Sequence, residues 1–144
     1  MMVQQILKEK GDAEVVTVKP GSLVQDAAKI LAERRIGTVV VSADGTTADG
    51  ILSERDIVRE IGSRGPSCMS DSVDDLMTKE LVTCQLKDDA VGVLEKMTEG
   101  RFRHMPVVEG GKLVGLITLG DVVKARLSEL SMEKDALEGM IMGH

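Results

Sequence analysis

The sequence predicts an α+β fold in which one strand–helix–strand–strand–helix unit of roughly 60 residues occurs twice in tandem. Three observations predict it. Shifting the second half back by 66 positions lays Val82-Thr83 on Val16-Thr17, Glu99 on Glu33, Arg101 on Arg35, and Met105-Pro106-Val107 on Val39-Val40-Val41. After the next turn an offset of 65 aligns Gly110 with Gly45, Gly115 with Gly50, Thr118 with Ser53 and Asp121 with Asp56. Both halves also show strand-like and helix-like hydrophobic periods in the same order.

Each element follows in turn. A β-branched stretch opens each copy, Val15-Val16-Thr17-Val18 and Leu81-Val82-Thr83-Cys84. An amphipathic helix comes next. In copy one Leu23, Ala27, Ile30 and Leu31 fall at helical spacing behind Ser22 as N-cap, with Gln25 three residues on. In copy two Ala90, Val93, Leu94 and Met97 do the same behind Asp88 or Asp89. Two strands around a tight turn follow: Val39-Val40-Val41 to Gly50-Ile51-Leu52 through Asp44-Gly45, and Met105-Pro106-Val107-Val108 to residues 113–117 through Gly110-Gly111. Asp-Gly and Gly-Gly supply the positive φ that such hairpins need. Helices over 56–61 and 121–130 close the copies.

Residues 62–71 are small, polar and broken by Gly and Pro, the composition of a linker, and 72–77 read as a short helical turn. The predicted organisation is repeat one at 7–62, a linker at 63–71, repeat two at 72–130 and a helical tail at 131–144. Three-stranded sheets leave an apolar face on each copy, so the copies are expected to pack on each other. Val3, Ile6 and Leu7 form an N-terminal helical stripe ending at Gly11. Leu137, Met140 and Ile141 extend a stripe at the other end, which either lies on its own domain or forms a dimer contact.

Composition narrows the function classes. The net charge is −6 and there is one aromatic residue, Phe102. A phosphate-backbone surface and a base-stacking platform are both disfavoured, so no nucleic-acid partner is expected. No apolar run approaches the roughly 20 residues of a membrane helix, and the N-terminus lacks the pattern of a secretory signal. Cys68 and Cys84 lack metal-ligand spacing and read as free thiols. The expected setting is cytoplasmic, with no membrane partner and no metal.

Two tetrads carry the chemistry: Ser53-Glu54-Arg55-Asp56 and Thr118-Leu119-Gly120-Asp121. Read alone, each is a capping box, with hydroxyl and carboxylate tying off the amides of a helix's first turn. Their recurrence after Gly-apolar-apolar strand ends offers a second reading. Glycine allows close approach of a ligand, a helix N-terminus favours phosphate, and an Asp carboxylate suits the two hydroxyls of a ribose. Both readings stay open on the sequence.

The chain resembles the cystathionine-β-synthase-type (CBS) domain family over residues 7–127. Carrying the resemblance are Val16-Thr17-Val18-Lys19-Pro20, the paired runs Gly50-Ile51-Leu52-Ser53-Glu54-Arg55-Asp56 and Gly115-Leu116-Ile117-Thr118-Leu119-Gly120-Asp121, and His104-Met105-Pro106-Val107-Val108. The resemblance implies two repeats packed as a pseudo-twofold module, with up to two adenosyl-ligand sites in the cleft between them. It implies that Ser53 or Thr118 meets ribose or α-phosphate and that Asp56 or Asp121 holds the ribose hydroxyls. Ile36 and Gly37, with Thr38, would wall one base, and Phe102 and Arg103 the other, with Leu116 at the strand end. Asp121 would work with Ile36, Gly37 and backbone near Ala13, and Asp56 with Phe102 and backbone near Lys79. Phosphate would meet Arg103, His104, Arg55 or Arg35. Val40 stands where copy two has Pro106, and Leu119-Gly120 where copy one has Glu54-Arg55, so unequal sites are expected.

The function expected on this basis is a non-catalytic regulatory module binding AMP, ADP, ATP or NAD(H), with no catalytic cofactor. It would act as a homodimer or through an effector protein of unknown identity. The alternative is a ligand-free structural adaptor. An enzyme is disfavoured because no nucleophile–base pair and no Gly-rich phosphate loop stand in the sequence.

Overall fold

The computed structural model describes residues 1–11 and 14–143. Its element order is α1 (Val3–Lys10), β1 (Thr17–Val18), α2 (Val24–Arg34), β2 (Thr38–Val41), β3 (Gly50–Ser53), α3 (Glu54–Arg64), a 3₁₀ turn (Pro66–Ser70), α4 (Val73–Leu76), α5 (Ala90–Gly100), β4 (His104–Glu109), β5 (Lys112–Thr118) and α6 (Leu119–Ile141). This is an α+β chain of two repeats. No helix among the described residues is long and apolar enough to cross a membrane.

Repeat one holds a sheet in the order β1-β2-β3, with β1 parallel and β3 antiparallel to β2. Repeat two holds the antiparallel pair β4-β5. Its opening β-branched stretch, expected as a full strand, is reduced to one parallel bridge between Cys84 and Val107. Gly110 and Gly111 make the β4–β5 turn with φ of 55° and 79°, the double positive φ of a two-residue hairpin. Asp44 accepts hydrogen bonds from the Thr46 amide and hydroxyl, both 2.8 Å, which fixes the first hairpin loop.

Every residue of β2 is buried. Successive side chains point to opposite faces, so both faces of this strand are covered. Val39 and Val41 join the helix-side core of repeat one with Val24, Ala27, Leu31 and Leu52. Val40, wholly buried, belongs to neither core cluster and pairs with Ile51 on the other face. Repeat two builds a separate core from Ala90, Val93, Met97, Met105, Val107 and Ile117, with Cys84. Burial raises the Cys84 thiol to about 12, so it packs as an inert hydrophobe.

The segment leading into each repeat completes the core of the other. Val3 and Ile6 of α1 belong to the repeat-two core, whereas Val73, Leu76 and Met77 belong to that of repeat one. Matching main-chain bonds fix both docks. The Val3 amide donates to Asp88 O at 2.8 Å and that of Ala90 to Met1 O at 2.8 Å. Likewise the Val73 amide donates to Ser22 O at 2.8 Å and that of Val24 to Asp71 O at 2.9 Å.

That exchange explains one departure from the sequence expectation. Leu23, not Ser22, is the N-cap of α2, because the Leu23–Ser72 bridge already fixes the helix entry. Within the expected linker, residues 66–70 form a 3₁₀ turn with Cys68 wholly buried. The closing helix of repeat two runs unbroken from Leu119 into the expected tail, to Ile141. Asp89 caps α5, its carboxylate accepting from the Gly92 amide at 2.7 Å.

Candidate functional site

Both tetrads fold as helix caps. Ser53 and Thr118 take extended backbone angles and their side chains accept from the Asp56 and Asp121 amides at 3.2 and 3.1 Å. The carboxylates reach back to the Ser53 and Thr118 amides, each at 2.9 Å. A cap of this kind occupies Oδ2 and leaves Oδ1, so it does not exclude a ligand role.

The two carboxylates meet different surroundings. Among the described residues Asp56 Oδ1 has Arg59 alone, at 3.4 Å, with the Arg59 side chain 73% and the Asp56 side chain 14% exposed. It faces an open cleft of about 860 Å³ between the repeats, within the roughly 300–1,000 Å³ of small-molecule sites. One wall is Gly37, Thr38, Ser53, Arg55 and Asp56 from repeat one. The facing wall is Phe102, Arg103 and His104 from repeat two, with Thr118 at its edge. Thr78 and residues 80–82 cross between them.

Four guanidinium groups, of Arg55, Arg59, Arg101 and Arg103, line this cleft against the carboxylates of Glu54, Asp56 and Glu80. The site is therefore locally cationic in a chain of net charge −6. Arg101 ends α5 in the left-handed conformation at φ 56°, the αL helix stop that places it on the rim. Its counterpart Arg35 has φ 54° but lies outside the cleft, as does Arg34. Thr38 is 3% exposed and its hydroxyl has no protein partner among the described residues. An unmatched hydroxyl in the wall of a cleft is a ready hydrogen-bonding group for a ligand.

His104 packs against Gly37 and Glu54 at the junction of the repeats: a Cβ at Gly37 would lie 3.6 Å from its ring and 3.5 Å from Glu54 Oε1. Burial first, and the Lys10 charge second, lower its pKa, so the ring is neutral at pH 7. It offers a hydrogen bond to phosphate, not a charge.

Three candidates lie elsewhere. Ile36 packs against the repeat-one core and does not line the cleft. Leu116 and Asp121 are also absent from its walls and instead meet the end of α1. Lys10 Nζ donates to Asp121 Oδ2 at 2.9 Å and to Leu116 O at 3.1 Å. Burial alone would raise the Asp121 pKa, but the Thr118 and Lys10 hydrogen bonds outweigh it and hold the carboxyl below its usual range. The backbone near Ala13 lies outside the described residues. Sequence reasoning missed Arg59 and Lys10. Arg59 was findable, since three residues beyond Asp56 is one helical turn on the same face.

A CBS domain profile matches residues 7–63 and 73–128. The chain belongs to the CBS domain family. Among relatives of this CBS pair, the Arabidopsis thaliana CBS domain-containing protein CBSX3, mitochondrial, is 32% identical over 148 residues, covering 98% of this chain and 72% of that protein. The chain spans 25% of a longer Arabidopsis relative, CBSCBSPB2, at 29% identity. A crystal structure of a CBS-domain containing protein from Agrobacterium tumefaciens superimposes with a TM-score of 0.82 at 43% identity, covering 88% of this chain and 99% of that one. CBSX2, solved in complex with AMP, superimposes at 0.68 and 30% identity, covering 80% and 89%. The two repeats of this chain are CBS repeats, arranged as in solved CBS pairs.

Proposed function

We propose that this CBS pair is a non-catalytic regulatory module that binds one adenine nucleotide, AMP, ADP, ATP or NAD(H), in the cleft faced by Asp56. The observation that carries this reading is the Asp56 carboxylate, held through Oδ2 by its own helix cap, with Oδ1 beside Arg59 on the wall of a cleft lined by four arginines. Asp56 takes the ribose diol, Phe102 flanks the base, the Thr38 hydroxyl finds its partner, and the arginines neutralise phosphate. The AMP complex of CBSX2, a similar protein, supports the ligand class. Ligand binding then shifts the balance between conformations of the pair, with output through self-association or a partner protein.

A second reading, an adaptor that acts without ligand, is favoured by one feature. The end of α6 exposes Leu130, Leu137, Met140 and Ile141, an apolar stripe that suits a homodimer or a protein partner. Thermal unfolding with AMP, ADP, ATP and NADH separates the readings. At 100 times its Kd a ligand that binds only the folded chain adds about 2.7 kcal/mol. We expect a rise in Tm for at least one nucleotide that Asp56→Ala abolishes. Equal Tm values with every nucleotide would leave the adaptor.

A further inference from the structure

The two leader helices dock alike but differ in length. The bonds of Val3 to Asp88 and of Val73 to Ser22 place Val3 opposite Val73, an offset of 70, whereas the first strands align at 66. The leader of repeat one therefore carries four extra residues, 70 less 66, about one helical turn. Accordingly α1 has 8 residues and α4 has 4. In the shorter leader the chain leaves the helix and pairs with β3: Thr78 and Ile51 exchange bonds of 2.8 and 3.0 Å. Asp56 beyond it lines the cleft, with Arg59 at 3.4 Å from its Oδ1. In the longer leader the added turn carries Lys10, whose ammonium takes the carbonyl of Leu116, the counterpart of Ile51, and also the Asp121 carboxylate.

The turn is firmly seated. Leu7 lies on Gly115, where a Cβ would come within 2.8 Å of its Cδ1.

We propose that the extra turn of α1 is a built-in plug, with Lys10 as an internal counter-ion that closes the Asp121 site to nucleotide and leaves the module with one open site. Lys10 places its ammonium on Asp121 Oδ2, the oxygen the cap also uses, so an adenine nucleotide would have to bind a carboxylate that already carries a cation. This inference rests on the reading of Asp56 and Asp121 as ribose-binding groups.

Isothermal titration with AMP tests it on the full chain, using wild type, Lys10→Met and Lys10→Met/Asp121→Ala. We expect one AMP per chain in wild type, two in Lys10→Met and one in the double variant. If wild type binds none while Lys10→Met gains a site that the double variant loses, the plug stands and the Asp56 reading falls. One site in both wild type and Lys10→Met would overturn the plug and keep the Asp56 reading. Two sites already in wild type overturn it as well, and no binding to any variant overturns both. Circular dichroism melts of the three proteins confirm that each is folded during titration.

Discussion

His104 and Asp121 both carry shifted pKa values and give pH-dependent signatures. The folded pKa of His104 is depressed, so the unfolded chain binds its proton more readily. Its stability contribution is complete above about 6.5, the unfolded value, and is lost as pH falls through the folded value. His104→Asn should flatten the urea-stability curve below that pH, which denaturation at pH 7.5 and 5.5 will read. The folded pKa of Asp121 is likewise depressed. Its contribution is present above about 3.9 and lost as pH falls through the folded value. The side chains of Lys10 and Asp121 are 31% and 22% exposed, so Lys10→Met should cost only about 0.5–1 kcal/mol at pH 7. Urea titrations should find the gap between wild type and variant narrowing as pH falls below about 3.9.

The elements that position the site divide into those set locally and those set by partners. The Gly-Gly hairpin, the two capping boxes and the helices behind them were legible in the sequence, because Gly-Gly, Ser-x-x-Asp and Thr-x-x-Asp act within one turn of chain. The first hairpin, expected tight at Asp44-Gly45, instead closes through the longer loop 42–49. The α2 cap was not legible, because a bridge from Ser72, far along the chain, overrides Ser22. Nor was the shrinkage of the opening strand in repeat two, where Cys84 alone reaches Val107. Gly50 and Gly115 lie at equivalent places beneath the leaders. A Cβ at Gly50 would overlap the Met77 side chain, and the backbone there needs no positive φ. Gly50→Ala should therefore act by overpacking, costing about 1–3 kcal/mol in urea denaturation. An unchanged midpoint would show that Met77 moves aside freely.

Across the whole molecule, exchange of the leaders makes the repeats depend on each other. Ile6 belongs to the core of repeat two although it precedes repeat one in sequence. Ile6→Ala should cost about 2–5 kcal/mol and, by hydrogen exchange, expose Met105, Val107 and Ile117 before Val39 and Leu52. Loss of protection first in repeat one would contradict this arrangement. The duplication made the pair of carboxylates visible in the sequence, but not their inequality. That inequality comes from the four-residue shift between leader and strand, which no single motif records. The most direct test of the account is chemical-shift mapping of AMP on the ¹⁵N-labelled chain. The account predicts the largest perturbations at Gly37, Thr38, Ser53–Asp56 and Phe102–His104, with Asp121 little changed. Shifts centred on Asp121 and Leu116, or none at saturating AMP, would contradict it.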